Sequence, residues 1–355
     1  MNKNLKVTDE YKRCMSQPAN STLRMLDKTW KSFFSAIADW KKHPNKYLGM
    51  PKIPKYLKKD GRYVWSVPNN SCYLETDGTI YFRIRKLQSY IWRTHITDGR
   101  LIQVRFVPKG SCYVMEVVYE IEVSDESQID SERIASIDVG VNNLVTMANN
   151  IGVNPIIING KGIKSINQYY NKRLSKEKSL LKIRHGKDWS KKLEAMTFKR
   201  HCRIKNYIHN TSRYFVNWCK EHDIDTLVIG HNSEWKQNTS LSKKATQSFV
   251  MVSYNMLIWQ LKYKCQNEGI KFVVTEENYT SGTSFLDGEM PIVEHYNKSR
   301  RIQRGLFKSN SGQLINSDVN GALQIMKKVF PNAFSERYGI EGVLTPVVIN
   351  AAQVA

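Results

Sequence analysis

The sequence predicts a multi-domain protein of mixed α+β and α/β class. Its apolar residues recur first with helical spacing, next in short alternating runs, and then in strands separated by long helical stretches. The chain has 355 residues, enough for one large domain and one or two smaller ones. We therefore expect a helical segment at 1–45, a β-rich domain at 46–132, an α/β domain at 133–330 with a basic helical insertion at 161–222, and a C-terminal tail at 331–355.

The first segment has an apolar and aromatic helical face between residues 8 and 43. That face consists of Leu23, Leu26, Trp30, Phe33, Phe34, Ile37 and Trp40. Helical periodicity stops in the following stretch, which contains Pro44, Pro51 and Pro54. Residues 8–43 are thus expected to form one or two amphipathic helices.

The second segment, residues 62–123, contains five short runs rich in β-branched and aromatic residues. Turn signals such as Asp77-Gly78 separate the runs, which predicts an antiparallel sheet or a small barrel. Arginines and lysines in these runs alternate with Tyr81, Tyr90 and Trp92. Such alternation is typical of a surface that binds phosphates and bases, and equally of a solvated sheet face.

The third segment contains the strands of the α/β domain. The strings RIASIDVGV, LVTMA and PIIIN predict three consecutive strands, and DTLVIGH and IKFVVTE predict two more after intervening helices. Three strands in succession, followed by alternating helices and strands, is the order of an RNase H-like domain. We expect that fold for residues 133–330.

The charge of the chain points to a polyanionic partner. Lys and Arg total 54 against 32 Asp and Glu, a formal net charge of +22. Residues 161–205 hold fifteen of these cations and only three acids, which predicts a nucleic-acid groove more than a merely solvated face. The candidate contact residues there are Lys172, Arg173, Lys191, Lys192, Arg200 and Arg203.

Other partners and locations are less consistent with the sequence. No run of about 18 apolar residues is present, and the N-terminus lacks the apolar stretch of a signal peptide, so we expect a cytoplasmic protein without a membrane partner. The six cysteines never form a C-x-x-C pair. Neither a disulfide framework nor a zinc site is therefore expected.

Two aspartates are candidate ligands of a divalent cation, because Mg²⁺ prefers hard oxygen ligands. Asp138 ends a predicted strand, and Asp318 opens a predicted helix. Each also has an ordinary explanation, an Asp-x-Gly turn for the first and a helix cap for the second. Together they suggest a site of the kind that hydrolyses phosphodiesters.

The third acid of such a site is less obvious. The fourth predicted strand would be expected to end in glutamate, but it ends in Gly230, and Glu234 lies outside the strand. The fifth strand ends in Glu276 and Glu277. Either of these two is our candidate for a relocated third ligand.

A basic loop lies ahead of the second aspartate. It either clamps a scissile phosphate or is simply solvated. His231, at the end of the fourth strand, either orients a phosphate or water or is an ordinary hydrogen-bonded histidine. The loop contains Arg304, the main candidate, with Arg300, Arg301 and Lys308.

Several strings of this chain resemble the TnpB family, the accessory nucleases of small bacterial insertion sequences and relatives of type V CRISPR effectors. The most specific is RIQRGLFKSNSGQLINSDVNGALQIMKKVFPNAF. SIDVGVNNLVTMAN, ENYTSGTSFLD, LDKTWKSFFSAIADWKK and the segment from IHNTSRYFVNWCKEHD to GHNSEWKQ also match, so that the resemblance spans about residues 23–334.

The resemblance implies an RNA-guided DNA endonuclease of the kind historically labelled a transposase. Its RuvC-like domain would hold Mg²⁺, as two ions, on Asp138, Asp318 and a third acid, here Glu277 or Glu276. A helical recognition segment and a β-barrel-like wedge domain would hold a guide RNA and the double-stranded target DNA. The implied location is the bacterial cytoplasm, at the nucleoid.

The chain departs from the family pattern in three respects. Many relatives carry glutamate where this chain has Gly230, although a subgroup with GHN-x-x-WKQ uses the acid before the YTS motif, which Glu277 fits. Many relatives insert a zinc ribbon after YTS, and this chain lacks its cysteine pairs. The chain also starts close to the middle of the expected recognition helices.

Three functional hypotheses follow. The leading one is a Mg²⁺-dependent, RNA-guided DNA endonuclease, with Glu277→Gln expected to abolish cutting and Glu234→Gln to have little effect. The alternative is a protein of the same fold that binds nucleic acid without cutting it, as a guided repressor or a remnant. A third is a strand-transfer transposase that uses the same acids.

Overall fold

The computed structural model describes residues 2–110, 112–123, 131–232, 251, 253–334 and 340–350. The chain divides into two compact units, Met1–Glu122 and Val123–Ala355. The division falls somewhat before the boundary at 132 that the sequence predicts. The first unit thus contains the helical segment together with the β-rich segment.

The first unit begins with two short helices and one long helix. These are α1 (Asn2–Leu5), α2 (Asp9–Arg13) and α3 (Ser16–Lys42). The hydroxyl of Thr8 accepts from the amide of Tyr11 and caps α2. Helix α3 ends at Lys42 because His43 precedes Pro44, whose ring disfavours helical backbone in the residue before it. The sequence expectation of one or two helices between 8 and 43 agrees with α2 and α3.

The strands of the first unit form two antiparallel three-stranded sheets. Their orders are β1-β5-β6 and β2-β3-β4. The strands are β1 (Trp65–Pro68), β2 (Cys72–Leu74), β3 (Thr79–Phe82), β4 (Trp92–Arg93), β5 (Arg100–Lys109) and β6 (Cys112–Glu120). Residues of both sheets share one core, which includes Val67, Ile80 and Val104. A closed barrel is not confirmed, because among the described strands no hydrogen-bonded ladder joins the two sheets.

The second unit is built on a six-stranded mixed sheet with the order β11-β10-β7-β8-β9-β14. Strand β8 is antiparallel to both neighbours, and the other pairs are parallel. Without β14 this is the RNase H-like order that the sequence predicts. The strands are β7 (Ile134–Val139), β8 (Asn143–Asn149), β9 (Ile156–Asn159), β10 (Thr226–Gly230), β11 (Lys271–Thr275) and β14 (Val347–Ile349).

Strand β14 lies within the segment that was expected to be a tail. It pairs in parallel with β9, and Ile349 enters the core. The short run Val347–Ile349 is apolar and β-branched, which suits an edge strand. The expectation of a plain tail at 331–355 was therefore wrong for these residues.

Helices cover both faces of the large sheet. Helices α5 and α6 pack on one face and α7 on the other. The helices are α4 (Lys161–His185), α5 (Lys191–Glu221), α6 (Tyr254–Asn267) and α7 (Ser317–Val329), and the hairpin β12 (Leu306–Lys308) and β13 (Leu314–Asn316) leads into α7. None of the described helices combines the length and apolar character needed to cross a membrane.

Side chains alternate along the central strand β7 and so fix the direction of Asp138. Ala135 and Ile137 point into the core under α5 and α6. Ile134 packs with α7, and the hydroxyl of Ser136 donates to the carbonyl of Ala322 in α7 at 2.7 Å. Because strand side chains alternate, Asp138 lies on the same face as these two residues. The first candidate acid therefore faces the helix that carries the second.

Candidate active site

Asp138 lies at the end of β7 in close contact with α7. A methyl group built on Gly321 of α7 would lie 2.7 Å from Oδ2 of Asp138. Only glycine leaves room for the helix backbone to come this close to the carboxylate. Asp138 is half-buried in this position.

Asp318 lies in the first turn of α7, but it is not the cap of that helix. The side chain of Asn316 is the cap, since its Oδ1 accepts from the amides of Asp318 and Val319 at 2.9 and 3.3 Å. The Asp318 carboxylate instead accepts from Nδ2 of Asn143 at 2.7 Å. Its other oxygen lies 3.5 Å from a guanidinium nitrogen of Arg301. These contacts direct Asp318 towards the ends of β7 and β8.

Strand β10 ends in Gly230, which has no side chain, and the side chain of Glu277 lies in the space beside it. A Cβ atom at Gly230 would lie 2.6 Å from Cγ and 2.9 Å from Oε1 of Glu277, and 2.5 Å from Cδ1 of Ile325. No side chain fits at position 230 while Glu277 keeps this conformation. Glu277 therefore occupies the space that a glutamate at position 230 would use.

Hydrogen bonds anchor the backbone of Glu277 beside β10. Its amide donates to Oδ1 of Asn232 at 2.9 Å. Its carbonyl accepts from the amide and the hydroxyl of Thr280, at 3.2 and 2.8 Å. Gly230 pairs with Thr275 in the parallel ladder, so Glu277 lies two residues beyond the end of the paired region. Gly230 thus leaves room for the Glu277 side chain, and Asn232 holds the Glu277 backbone.

The other candidate glutamates lie elsewhere. Glu276 is exposed, and its Oε2 accepts from Nδ2 of Asn278 at 3.0 Å. Glu234 lies outside the described residues. The structure therefore brings Glu277, and not Glu276, to the sheet face that carries Asp138. His231 continues the ladder with its backbone amide, which donates to the carbonyl of Thr275 at 2.8 Å.

The electrostatics of the site reflect buried like charges. Burial raises the pKa of Asp138 well above its ordinary value, and the charges of Glu277 and then Asp318 raise it further, against a smaller opposing effect of Arg301. Burial raises the pKa of Glu277 to about 7. The pKa of Tyr254, at the start of α6, is raised by burial and by the charges of Asp138 and Glu277. Glu277 and Asp318 are therefore close enough to Asp138 to disfavour its ionisation.

The donor set of this site suits a hard divalent cation. The carboxylates are farther apart than the ligands of a bound metal ion. In the described part of the chain, no three His, Cys, Asp or Glu side chains lie close enough together to hold a metal ion. Oε1 of Glu277 is buried and accepts no hydrogen bond from any described residue. A buried carboxylate oxygen without a donor, beside two other carboxylates, is the environment that Mg²⁺ stabilises.

A cationic rim lies beside the acids. The charge of Arg304, together with the larger effect of burial, lowers the pKa of Lys164, which places these two cations near each other. Nζ of Lys164 donates to Oδ1 of Asn142, the neighbour of the Asn143 that binds Asp318. Arg300, by contrast, forms a half-buried bidentate pair with Glu289 at 2.5 and 2.9 Å. Arg304 and Lys164 are thus available to a phosphate, and Arg300 fixes its loop.

Sequence reasoning missed Lys164 and Asn143. The Asn142-Asn143 pair directly follows the strand of the first candidate acid, and Gly321 lies one turn after the second. Small or amide residues at such positions are the available signal for a site. Lys164 is indistinguishable in sequence from the many other lysines of its helix.

The predicted basic helices form an adjacent pair, α4 and α5. Lys172, Lys191 and Arg203 are exposed. Lys192 pairs with Glu177 at 2.7 Å, and Arg173 lies 3.8 Å from the same carboxylate. Nε of Arg200 donates to Oδ1 of Asn167 at 2.8 Å. The six candidate cations therefore lie on one helical pair; five of them are exposed and Arg200 is half-buried.

Two family models match the chain, and their ranges contain the candidate acids. Residues 116–236, which include Asp138 and Gly230, match the model described as a probable transposase, OrfB_IS605. Residues 254–325, which include Glu277 and Asp318, match the model of the Cas12f1-like TNB domain. A curated relative, the TnpB-like protein ORF457 of Acidianus two-tailed virus, is 22% identical over 364 residues, covering 91% of this chain and 75% of that protein.

Solved structures of related systems also match. One is a cryo-EM structure of a Cas12f1–sgRNA–target DNA complex, with a TM-score of 0.41 and 15% identity over 92% of this chain and 85% of that chain. A second is a CRISPR-Cas12f ternary complex, with a TM-score of 0.44 and 18% identity over 64% of this chain and 46% of that chain. The two matching family models and the TnpB-like relative agree with the sequence motifs, and the chain is thus similar to proteins of the TnpB family.

Proposed function

We propose that this protein is an RNA-guided, Mg²⁺-dependent DNA endonuclease of the TnpB type. The observation that carries the proposal is the position of Glu277 in the space above Gly230, beside Asp138. With Asp318 on the facing helix, three carboxylates from separate parts of the sequence lie at one edge of an RNase H-like sheet. A phosphodiester-cleaving metal site is built from two to four carboxylates of this kind.

The residues around the site divide into ligands and supports. Asp138, Glu277 and Asp318 would hold divalent cations, and bound Mg²⁺ would activate water and stabilise the leaving oxygen. Asn232 and Thr280 hold Glu277 in place, and Asn143 holds Asp318. Support of this kind keeps a carboxylate oriented and limits its loss of entropy on binding.

The rim cations would neutralise the nucleic-acid backbone. Lys164 contacts Asn142, the chain neighbour of the Asn143 that binds Asp318, and Arg304 lies near Lys164, so we place both cations on the side from which a phosphate would reach the acids. The net charge of +22 favours a polyanion as the partner. One similar structure is that of a Cas12f1 complex with sgRNA and target DNA, and we propose a guide RNA and double-stranded target DNA as partners here.

Two linked measurements test this proposal. RNA that co-purifies with the protein is sequenced, and the ribonucleoprotein is then incubated with matching DNA in Mg²⁺ or EDTA. A discrete structured RNA and Mg²⁺-dependent cutting of matching DNA are expected. Random RNA, or cutting that ignores the guide, would overturn the proposal.

The alternative is a protein of this fold that binds nucleic acid without cutting it. The observation that favours it is the pairing of Asp318 with Arg301, together with the lack of an assembled metal group in the described residues. This alternative predicts tight, salt-sensitive RNA binding and intact DNA under all metal conditions. The same cleavage experiment distinguishes it from the endonuclease.

A further inference from the structure

The helical pair α4 and α5 encloses a cleft that the site at the sheet edge does not use. The cleft has a volume of about 550 Å³, within the range of roughly 300–1,000 Å³ that is typical of ligand sites. Two apolar residues, Ile166 and Met196, belong to its lining. Its aromatic and cationic lining residues are Tyr169, Tyr170, Arg173, Lys199, Arg200 and Arg203.

The aromatic residues of the cleft are differently held. Tyr169 is 59% exposed, a large value for an aromatic side chain, and its hydroxyl accepts from Arg173 at 3.1 Å. Tyr170 is fixed, since its hydroxyl lies 2.9 Å from that of Thr197 and the Arg200 guanidinium lies 5.1 Å from its ring centre. Tyr170 therefore completes the wall of the cleft, while most of the surface of Tyr169 stays exposed, although the Arg173 guanidinium lies 5.9 Å from its ring centre.

The charge of the cleft is positive. Its lining contains four cations and, among the described residues, no carboxylate. Arg173 shares Glu177 with Lys192, which reduces its contribution. Nε of Arg200 is engaged by Asn167, and the other two guanidinium nitrogens accordingly remain for a ligand. Arg200, Lys199 and Arg203 thus leave a net positive cleft around an exposed aromatic ring.

We propose that this cleft binds an unpaired nucleobase and the phosphates beside it. An exposed tyrosine ring next to apolar side chains offers a stacking surface to a free base, whereas the bases of a duplex are already stacked. The cations contact the flanking phosphates. The inference deepens the proposed function, on which it rests for the presence of nucleic acid, and it names single-stranded polynucleotide as the ligand of this surface.

The test uses the full chain in EDTA, so that binding is measured without cleavage. Twelve-residue oligo(dT) and oligo(rU), each with one central 2-aminopurine, are titrated beside a duplex of the same length. We expect 2-aminopurine fluorescence to be quenched on binding, and Tyr169→Leu to weaken single-strand binding about tenfold. Tyr169→Phe keeps the ring and is expected to bind as the parent does.

A matched control is available in the connection between α4 and α5. Trp189 is 49% exposed and has a lysine, Lys178, at 5.6 Å from its ring centre, but it does not line the cleft. Trp189→Leu is expected to leave oligonucleotide binding unchanged. The comparison of oligo(dT) with oligo(rU) shows whether the source is DNA or RNA.

Specific outcomes overturn the inference. Unquenched 2-aminopurine with the parent protein excludes base stacking without recourse to any variant. Equal single-strand affinity of Tyr169→Leu and the parent, or an equal loss with Trp189→Leu, excludes this cleft as the site. None of these results depends on guided cleavage, so a failure here leaves the proposed endonuclease standing, and a failure to cleave leaves this binding test unaffected.

Discussion

The acidic sheet edge and the basic helical pair α4–α5 use charge in opposite ways. At the sheet edge, burial raises the pKa values of Asp138 and Glu277, and the charges of Glu277 and Asp318 raise that of Asp138 further. On α4 and α5, cations such as Lys172 and Arg203 are exposed, and water screens their repulsion. Electrostatics therefore destabilise the sheet edge of the metal-free protein, whereas they destabilise the helical pair only slightly.

This difference predicts where single substitutions will have large effects on function. Each acid at the sheet edge has a unique position fixed by Gly230, Gly321 or Asn143. No neighbouring side chain can replace it. The cations of the helical pair are numerous and interchangeable, so the loss of one is partly compensated by the others.

The largest effect is expected at the central acids. Asp138→Ala and Asp318→Ala each remove a proposed cation ligand, and we expect guided DNA cleavage to slow by more than about 100-fold. RNA binding is expected to stay within twofold of the parent, since neither residue belongs to the basic helices. The measurement is single-turnover cleavage beside an RNA gel-shift titration.

Asp287→Ala is a control at another carboxylate of the same region. Asp287 accepts from the amide of Asn310 and does not contact the three acids. Normal cleavage by either of the two central variants would remove the corresponding acid from the site.

The next effect concerns stability in the absence of metal. The pKa of Glu277 is about 7 in the folded protein and ordinarily 4.5, so between these pH values the folded state binds more protons than the unfolded state. The free energy of unfolding therefore falls as pH rises through this window, by up to about 3 kcal/mol from this group. Denaturant unfolding in EDTA at pH 5 and pH 8 measures it.

Glu277→Gln lacks this titration and is expected to be more stable than the parent at pH 8, with a smaller difference at pH 5. Added Mg²⁺ is expected to stabilise the parent at pH 8 more than the variant. Equal pH dependence of the two proteins would show that Glu277 is not held in a buried, repulsive environment.

A smaller effect on cleavage is expected at Gly230. Gly230→Ala places a methyl group 2.6 Å from Cγ of Glu277 and 2.5 Å from Cδ1 of Ile325, so the glutamate must move. A displacement of this kind is expected to slow cleavage roughly 10- to 100-fold. Gly49→Ala is the matched control, because nothing lies within 4 Å of its added methyl group. Parent-like rates for Gly230→Ala would contradict the tight fit of Glu277.

The smallest effects are expected on the basic helical pair. Lys172→Gln and Lys191→Gln each remove one exposed cation, and we expect RNA affinity to fall only a few-fold, equally for different sequences. The slope of log affinity against log salt should decrease by about 1 for each lost phosphate contact. A loss of RNA affinity of more than 100-fold from either change would show that one lysine supplies a large share of the binding energy, in contradiction to contacts spread over many cations.

Much of the second unit could be predicted from the sequence. The five core strands alternate or run apolar over lengths that only buried strands have, and their order along the chain gives the RNase H-like arrangement. The alternation of β7 even gives the direction of Asp138, because Ile134 and Ser136 precede it at steps of two. Strand β14 was missed because a three-residue apolar run has too little pattern to distinguish it from a loop.

The details of the site depended on contacts that sequence alone does not give. Glu276 and Glu277 remain equivalent until the register of β11 on β10 is known, with Thr275 opposite Gly230. Asp318 is a plausible cap until Asn316 is seen to fill that role. The sequence predicts five of the six strands of the first unit and misses the two-residue strand β4. Whether such strands close into a barrel is decided by long-range pairing.

The most direct test of Glu277 as the third carboxylate is guided cleavage by Glu277→Gln, measured beside Glu276→Gln. The two changes are chemically identical and adjacent in the chain, but only Glu277 lies above Gly230, while Glu276 is exposed. We predict that Glu277→Gln abolishes Mg²⁺-dependent cutting with RNA binding intact, and that Glu276→Gln cuts like the parent. Parent-like cutting by Glu277→Gln, or loss of cutting by Glu276→Gln alone, would contradict the assignment of the third carboxylate.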